Sequence, residues 1–501
     1  MKPVTITIND FSGGISDDIR QPLTNSFALT RHVDIFSNPK RATPYRSLEA
    51  DENDGSTSDG MKQYYVQDFL YASASAKLYG LGKNATGKTK IVYKADATTG
   101  NWTLPANSEG NGAVQNGCLV EYKDYLWGFQ GTTDVFKWGV LSGTPSITNT
   151  TTTIGTITSV AQGVIASDDN LYLPYNNKLV RVNAGGTVQD AVLTLPTNFK
   201  ITSICNYGKQ LAIGCAPIST FNGTSKVFLW NLTSPDVQEA IGWGEGELRV
   251  LEEIEGYLVG VTDRYLNNAV GAGKGSLIIQ IYSGGVPQVV KELFTKKLTG
   301  KIVPLSKAVK NNRLFFSARI YDDAVASFND GIWSFGRKNA NYPFAISLDI
   351  SNENFQGNHG GIQSFSVAGN YFFLSHNDDG SIYKTSSTET YSNNYASSIQ
   401  TQIYNFGSPM LEKRLDSVKI SVVPQATPQA FYLRVKPNGS TTWTLLATPT
   451  VAAGELSKTV LLNEVTGANF PSAKEFQFQV SNFGGLEITE IEPTATPLST
   501  I

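Results

Sequence analysis

Three histidines, His32, His359 and His376, are all that a chain of 501 residues offers for imidazole chemistry. A zinc centre needs several clustered nitrogen, sulfur or carboxylate ligands. His359 stands in Asn358-His359-Gly360-Gly361 and His376 follows an apolar run, and neither has a second ligand at metal-binding spacing. Paired carboxylates can do glycosidase work when two carboxyl groups face each other across a bond. The candidates are Glu252-Glu253-Ile254-Glu255 and Asp322-Asp323. Nothing in the sequence brings either to a partner, so both read as charge on a solvated loop or strand edge. Gly271-Ala272-Gly273-Lys274-Gly275-Ser276 has the composition of a phosphate loop without its spacing: Asn268 replaces the first glycine, and Gly275 follows the lysine where Ser or Thr belongs. Cys118, Cys205 and Cys215 are odd in number and too few for a disulfide framework. Cys205 and Cys215 could lie on neighbouring strands, but buried free thiols are the expected state. No catalytic, cofactor-binding or metal-binding residue follows, and no cofactor.

The composition describes what would have to position any such group. Hydrophobic residues make up 40% and charged residues 17%, the latter low against the usual quarter or so. With 46 Gly, 25 Phe and 22 Tyr, the chain favours strands and turns over long helices. A net charge of −3 leaves no basic footprint for gripping nucleic acid. A mildly acidic protein can still line a conduit that DNA must slide through. Met1 to Ile6 lacks the apolar run of a signal peptide, and no stretch reaches the roughly 18 apolar residues of a membrane span. The expectation is a protein made in a cytoplasm and soluble there. Its length exceeds the roughly 250–300 residues of one core, so two or three folding units are expected.

One unit recurs: an apolar run, a polar turn, and a second run rich in Leu, Tyr and Phe. It reads Cys118-Leu119-Val120-Glu121-Tyr122, turn Lys123-Asp124, Tyr125-Leu126-Trp127-Gly128-Phe129. Copies follow with Leu171 after a turn at Ser167 to Asn170, Leu211 after Gly208, Leu258 after Gly256, Leu314 after Asn311-Asn312 and Phe372 after Gly369-Asn370. A first copy reads Tyr64-Tyr65-Val66, turn Gln67-Asp68, Phe69-Leu70-Tyr71. Asp, Asn and Gly suit tight hairpins, and a third strand follows each copy, as in Val135-Phe136-Lys137-Trp138 or Ile332-Trp333-Ser334-Phe335. The runs after the turns are nearly continuous, as strands packed on both faces require. About seven copies between residues 61 and 392, at spacings of roughly 40 to 57 residues, predict a β-propeller of about seven blades with Leu126, Leu171, Leu211, Leu258, Leu314 and Phe372 on equivalent inner strands. Ser375-His376-Asn377-Asp378-Asp379-Gly380-Ser381 is similar to the Asp-box turn of sialidase propellers but lacks its closing aromatic, and an ordinary hairpin turn accounts for it. Trp127, Trp138, Trp230 and Trp333 fall within predicted strands, where core packing explains them.

The ends differ from the middle. Residues 1–60 read as an extended arm, with Val4, Ile6 and Ile8 alternating and no evident local core for Val4, Ile6, Ile8, Phe11 and Ile15. Such an arm reaches onto a neighbour or supplies a strand that closes the last blade. Residues 393–501 open a new run of strands that predicts an antiparallel β-sandwich. In it, Phe476, Phe478 and Val480 alternate as a half-solvated strand.

Phe11-Ser12-Gly13-Gly14-Ile15-Ser16, Pro22, Val33-Asp34, Asn38-Pro39 and Pro44-Tyr45-Arg46 resemble the opening of the tail nozzle (tail tubular protein B-like) proteins of tailed bacteriophages. Ile399-Gln400-Thr401, Phe406-Gly407 and Lys413-Arg414-Leu415 are similar to the pattern that begins the sandwich after phage propellers. The chain is shorter than short-tail nozzles, which leaves nozzle, collar and tail tip open. The resemblance implies a virion structural protein without catalytic residues, assembled with copies of itself as a ring, usually six-fold. Neighbouring tail or adaptor proteins would be its partners, and DNA would pass through the channel without sequence-specific binding. The rival readings are a receptor-binding or glycan-binding propeller of the tail, which needs a cleft lined by several Trp and acidic residues, and a cellular scaffold propeller, which would lack the arm and the sandwich.

Overall fold

The computed structural model describes residues 2–16, 25–51, 60–73, 75–95, 100–105, 108–113, 119–142, 146–218, 223–265, 275–295, 301–322, 327–351, 362–369, 371–376, 380–386, 397–438, 440–462 and 472–498. Among these residues the regular structure is strand apart from one 3-10 turn, Lys62–Tyr64, and no helix is long and apolar enough to cross a membrane.

From residue 68 onward the chain lays down antiparallel sheets in succession. The first runs Asp68–Ala72, Lys77–Lys83, Lys88–Lys94, with Trp102–Thr103 and Glu109–Ala113 on the last of these. The second is Val120–Tyr122, Tyr125–Gln130, Asp134–Gly139, Ser146–Thr153, and the third Val164–Ile165, Leu171–Tyr175, Lys178–Val182, Val188–Thr194. The fourth is Phe199–Tyr207, Gln210–Pro217, Thr224–Trp230, Glu239–Glu245; the fifth Glu247–Ile254, Tyr257–Tyr265, Gly275–Tyr282, Gln288–Thr295. The sixth is Lys301–Lys310, Arg313–Asp322, Ser327–Gly336, Ala345–Ser351, and a further sheet joins Ile362–Ala368, Tyr371–His376 and Ile382–Thr385 to Leu48–Ala50. Asn311 and Asn312, at φ 51° and 58°, turn one such hairpin as the tight two-residue geometry demands.

Apolar clusters alternate with the sheets and explain the continuous runs. Leu314 and Phe316 pack on the fifth sheet, while Phe315 between them packs on the one after the sixth. The last cluster returns to the start, setting Phe373 and Ile382 against Phe69, Leu78 and Trp102. The succession therefore closes on itself as a propeller's sheets do.

Two features of the repeat differ from expectation. Leu126, Leu171, Leu211, Leu258, Leu314 and Phe372 do hold corresponding places, but on the second strand of each sheet, one step out from the centre. The first copy is also offset, because Gln67-Asp68 is no turn. Asp68 is buried and starts the innermost strand, where its carboxylate captures backbone N–H groups.

The described residues before 61 are built into the rest of the chain. Leu48–Ala50 pairs with Ile382–Thr385, the closing strand that was one of the two readings of this segment. Ser26–Arg31 lies between Ala345–Ser351 and Ser398–Thr401, joining the sixth sheet to a C-terminal one. That sheet continues through Phe476–Ser481, Tyr432–Pro437 and Thr444–Ala447. A second C-terminal sheet is ordered Val4–Thr5, Ile488–Pro497, Lys413–Val422, Ser457–Leu461, with Ser472–Ala473 against the start of its third strand. Val418, Ile420 and Ile491 of one meet Leu433, Phe478 and Val480 of the other in one cluster, which also takes in Ile8, Phe11 and Phe27. Ile8, Phe11 and Ile15 thus have a core within their own chain. Phe476–Ser481 is correspondingly an interior strand, not a half-solvated one, and its buried Gln477 donates to Thr401 O at 2.9 Å.

His32 sits inside this joint. It has a left-handed backbone (φ 54°), and its Nε2 lies 3.1 Å from Arg46 O. Burial holds the imidazole down to about 4. The folded state therefore refuses a proton that the unfolded imidazole accepts, and stability falls as pH drops from about 6.5 to about 4. His32→Asn, which tolerates the same backbone, is expected to narrow the difference between urea midpoints at pH 7 and pH 5. An undiminished difference would assign the acid sensitivity elsewhere.

Candidate functional site

The first strands of the sheets converge at the centre of the ring. They leave a cavity of about 450 Å³ lined by Asp68 to Tyr71, Gln162, Lys307 to Lys310, Phe365 to Val367 and Gly369. Cavities with converging polar groups of perturbed acidity are where binding and catalysis are sought first.

Asp68 is the most perturbed group there, its carboxyl pushed up to about 7 by burial against the pull of its hydrogen bonds. Its oxygens accept Phe69 N–H at 3.0 Å, Leu119 N–H at 2.9 Å and the Ser364 hydroxyl at 3.4 Å. It thereby holds the first sheet to the one on either side. Lys307 reaches across the centre from the sixth sheet. Its Nζ is 3.0 Å from Glu252 Oε2 and donates to Ser203 Oγ, Ile204 O and Leu251 O at 3.1, 2.9 and 2.8 Å. Those acceptors outnumber its three N–H bonds. Lys310 donates to Gly369 O. A general acid near neutrality suits proton transfer, but every charged group in this cavity already serves a neighbouring sheet. The polar side chains it leaves uncommitted, Tyr71, Gln162 and Ser366, are uncharged.

The groups singled out in the sequence do not assemble around this cavity. Of the acidic run, Glu252 pairs with Lys307, Glu253 accepts Gly256 N–H at 3.0 Å and Glu255 pairs with Arg337 at 2.6 Å. Glu252 is thus a partner at the centre of the ring, not a solvated charge. His32 lies in the joint with the C-terminal sheets, and His376 is buried on its strand. Cys205 and Cys215 are buried free thiols on adjoining strands, both pushed up by burial. His359, Cys118, Asp323, Gly271 to Lys274 and Asn377 to Asp379 lie outside the described residues, as does the side chain of Asp322. Among the described residues no three His, Cys, Asp or Glu side chains are grouped to hold a metal ion. Trp127, Trp138, Trp230 and Trp333 are all buried in the packing between sheets, and no Trp lines the central cavity.

Sequence reasoning read Asp68 as part of a turn and passed over Lys307 and Arg313, which pairs with Asp34 at 3.0 Å. Each is an ionisable residue inside or beside an apolar run, and that interruption is the signal that could have marked them.

The chain matches no family model and no curated protein sequence. Among solved structures it is similar in fold to an exo-β-1,3-galactanase from Phanerochaete chrysosporium with galactose (12% identity, 89% of this chain and 100% of that one, TM-score 0.31). It is also similar to the N-terminal domain of Nup159 (9%, 71% and 98%, 0.41) and to the Dos1 propeller (12%, 68% and 94%, 0.40). At these TM-scores the likeness carries no argument about this chain.

Proposed function

We propose that this chain is a structural, non-enzymatic component of a tailed-phage virion, a seven-bladed β-propeller carrying a C-terminal antiparallel β-sandwich. In this reading copies form a ring, six-fold as in the nozzle-like proteins it resembles, around the channel through which DNA leaves the tail.

One observation carries the reading. Several of the residues that resemble tail nozzle proteins help to fasten the ring of sheets to the C-terminal pair. Phe11 stacks on Phe27 at 5.2 Å and donates its N–H to Pro39 O at 2.7 Å. Gly14 has φ +62° and would put a Cβ 2.5 Å from Ile346 O, so only glycine fits there. Asp34 pairs with Arg313 at 3.0 Å, and Tyr45 donates to Asp349 at 2.7 Å. Ile399 is wholly buried, and Lys413, also buried, donates to Ser408 O, Leu411 O and Lys474 O. Pro22 lies outside the described residues. Motif members that brace a joint, as Phe11, Gly14, Asp34 and Tyr45 do, suit a part that holds shape under load, whereas a reaction would need reactive groups left free.

A particle reconstruction tests the reading. The expected result is a ring of copies about the tail axis; single copies, or copies placed away from that axis, would overturn it.

A further inference from the structure

The sheet ordered Val4–Thr5, Ile488–Pro497, Lys413–Val422, Ser457–Leu461 is antiparallel at every step and has an open strand at each side among the described residues. On the N-terminal side Ile6 and Ile8 donate inward, to Pro493 O at 3.1 Å and Ile491 O at 3.0 Å. Antiparallel alternation then turns the N–H and C=O of Thr5 and Thr7 outward. Pro3, the next outward position, has no N–H and limits the ladder there. On the other side Val422 donates to Leu456 O at 2.9 Å. By the same alternation Ser457, Thr459 and Leu461 present their backbone groups outward. Leu456 and Leu461 flank them, 63% and 42% exposed.

Along this path strands alternate in direction, and their number is even. The two edge strands therefore run oppositely, and a copy set beside the first by simple rotation meets it in antiparallel register. The two edges differ in sequence, so the contact is head-to-tail, which closes into rings, whereas a two-fold pair would join like to like. We propose that copies of this chain join by pairing residues 4–8 of one copy with residues 456–461 of the next. This rests on the ring reading above and names its contact. Closure gives every copy two of these contacts and so strengthens the ring beyond a single pairing.

The test is the size of the purified full chain by light scattering. Thr7→Pro and Thr459→Pro each remove an outward N–H and no inward one, so each is expected to keep the wild-type melting temperature and to be monomeric where the wild type forms rings. Mixing the two variants leaves one usable edge on each and is expected to give dimers and nothing larger. If either proline lowers the melting temperature, Leu456→Lys with Leu461→Lys provides a milder variant that should also disperse the rings. A wild type that stays monomeric at its highest soluble concentration, rings that survive either proline, or a mixture that stays monomeric would overturn the proposal. Rings from purified protein alongside particles lacking the chain at the tail axis would retire the virion reading and leave the pairing standing. A tail ring with other contacts would do the reverse.

Discussion

Arg313→Met is expected to lose about 3–5 kcal/mol of stability at pH 7, the typical cost of removing one partner from a buried ion pair. The guanidinium lies 3.0 Å from Asp34 and 3.6 Å from Asp349, between the rings of Phe36 and Phe315. Asp349 has no exposed surface and also accepts from Tyr45 and Ser334. Burial pushes its carboxyl up to about 6 even with Arg313 pulling it down. Methionine would leave two carboxylates without their cation, and they would be protonated more readily in the fold than in the unfolded chain. The variant should therefore regain stability as pH falls toward 5. Adding Asp349→Asn should recover part of the loss at pH 7. Urea midpoints for these and for the exposed Arg414→Met decide the matter; equal shifts at Arg313 and Arg414 would show the joint to be unimportant.

Asp51→Asn should produce the second large effect, again about 3–5 kcal/mol at neutral pH. Asp51 Oδ1 lies 2.5 Å from Lys94 Nζ and 3.7 Å from Lys384 Nζ, with Lys94 almost wholly buried. The Trp102 indole N–H also points at Asp51, 2.8 Å from its carbonyl oxygen. Desolvation already lowers the Lys94 ammonium, with Asp51 holding it up. Without Asp51 the folded state would shed the Lys94 proton more easily than the unfolded chain does. Native protein would then bind fewer protons, so the variant's stability should rise with pH. The deficit between variant and wild type is expected to shrink between pH 7 and pH 10; a deficit independent of pH would mean Lys94 is not the group left stranded.

The hairpins of the ring were legible because Asn311-Asn312 or Lys123-Asp124 between apolar runs is a local signal. What determines the joints is not local. Leu48–Ala50 and Ile382–Thr385 pair across more than three hundred residues, and a three-residue strand carries no mark of so distant a partner. Asp68 read as a turn because an acid beside Gln67 usually is one, and its burial becomes visible only when Leu119 and Ser364 are brought to it. Lys307 carries no local mark of its burial, and Lys413, wholly buried, stands out in the sequence only within the pattern shared with phage sandwiches. Phe476 to Val480 alternates like a half-wet strand, but its polar side chains are taken up by the neighbouring strand, Gln477 by Thr401 and Gln479 by Ser398. The central cavity has no sequence signature, since its lining comes from four separate copies of the repeat.

The pairing of Leu48–Ala50 with Ile382–Thr385, and of Val4–Thr5 with Ile488–Pro497, has a bearing on synthesis. Val4–Thr5, Ser26–Arg31 and Leu48–Ala50 leave the ribosome long before the strands beyond residue 344 that they pair with. At roughly 5–20 residues per second that is a wait on the order of 20–90 s. Ile8, Phe11, Phe27 and Val33 are without their final cover throughout. Sheets from the middle of the chain, whose strands are neighbours in sequence, can form during that interval. The nascent chain should therefore assemble from these middle sheets outward and close last where the strands before residue 51 meet those after residue 344, which makes a holdase bound to the emerging earlier strands the helper such a protein would need.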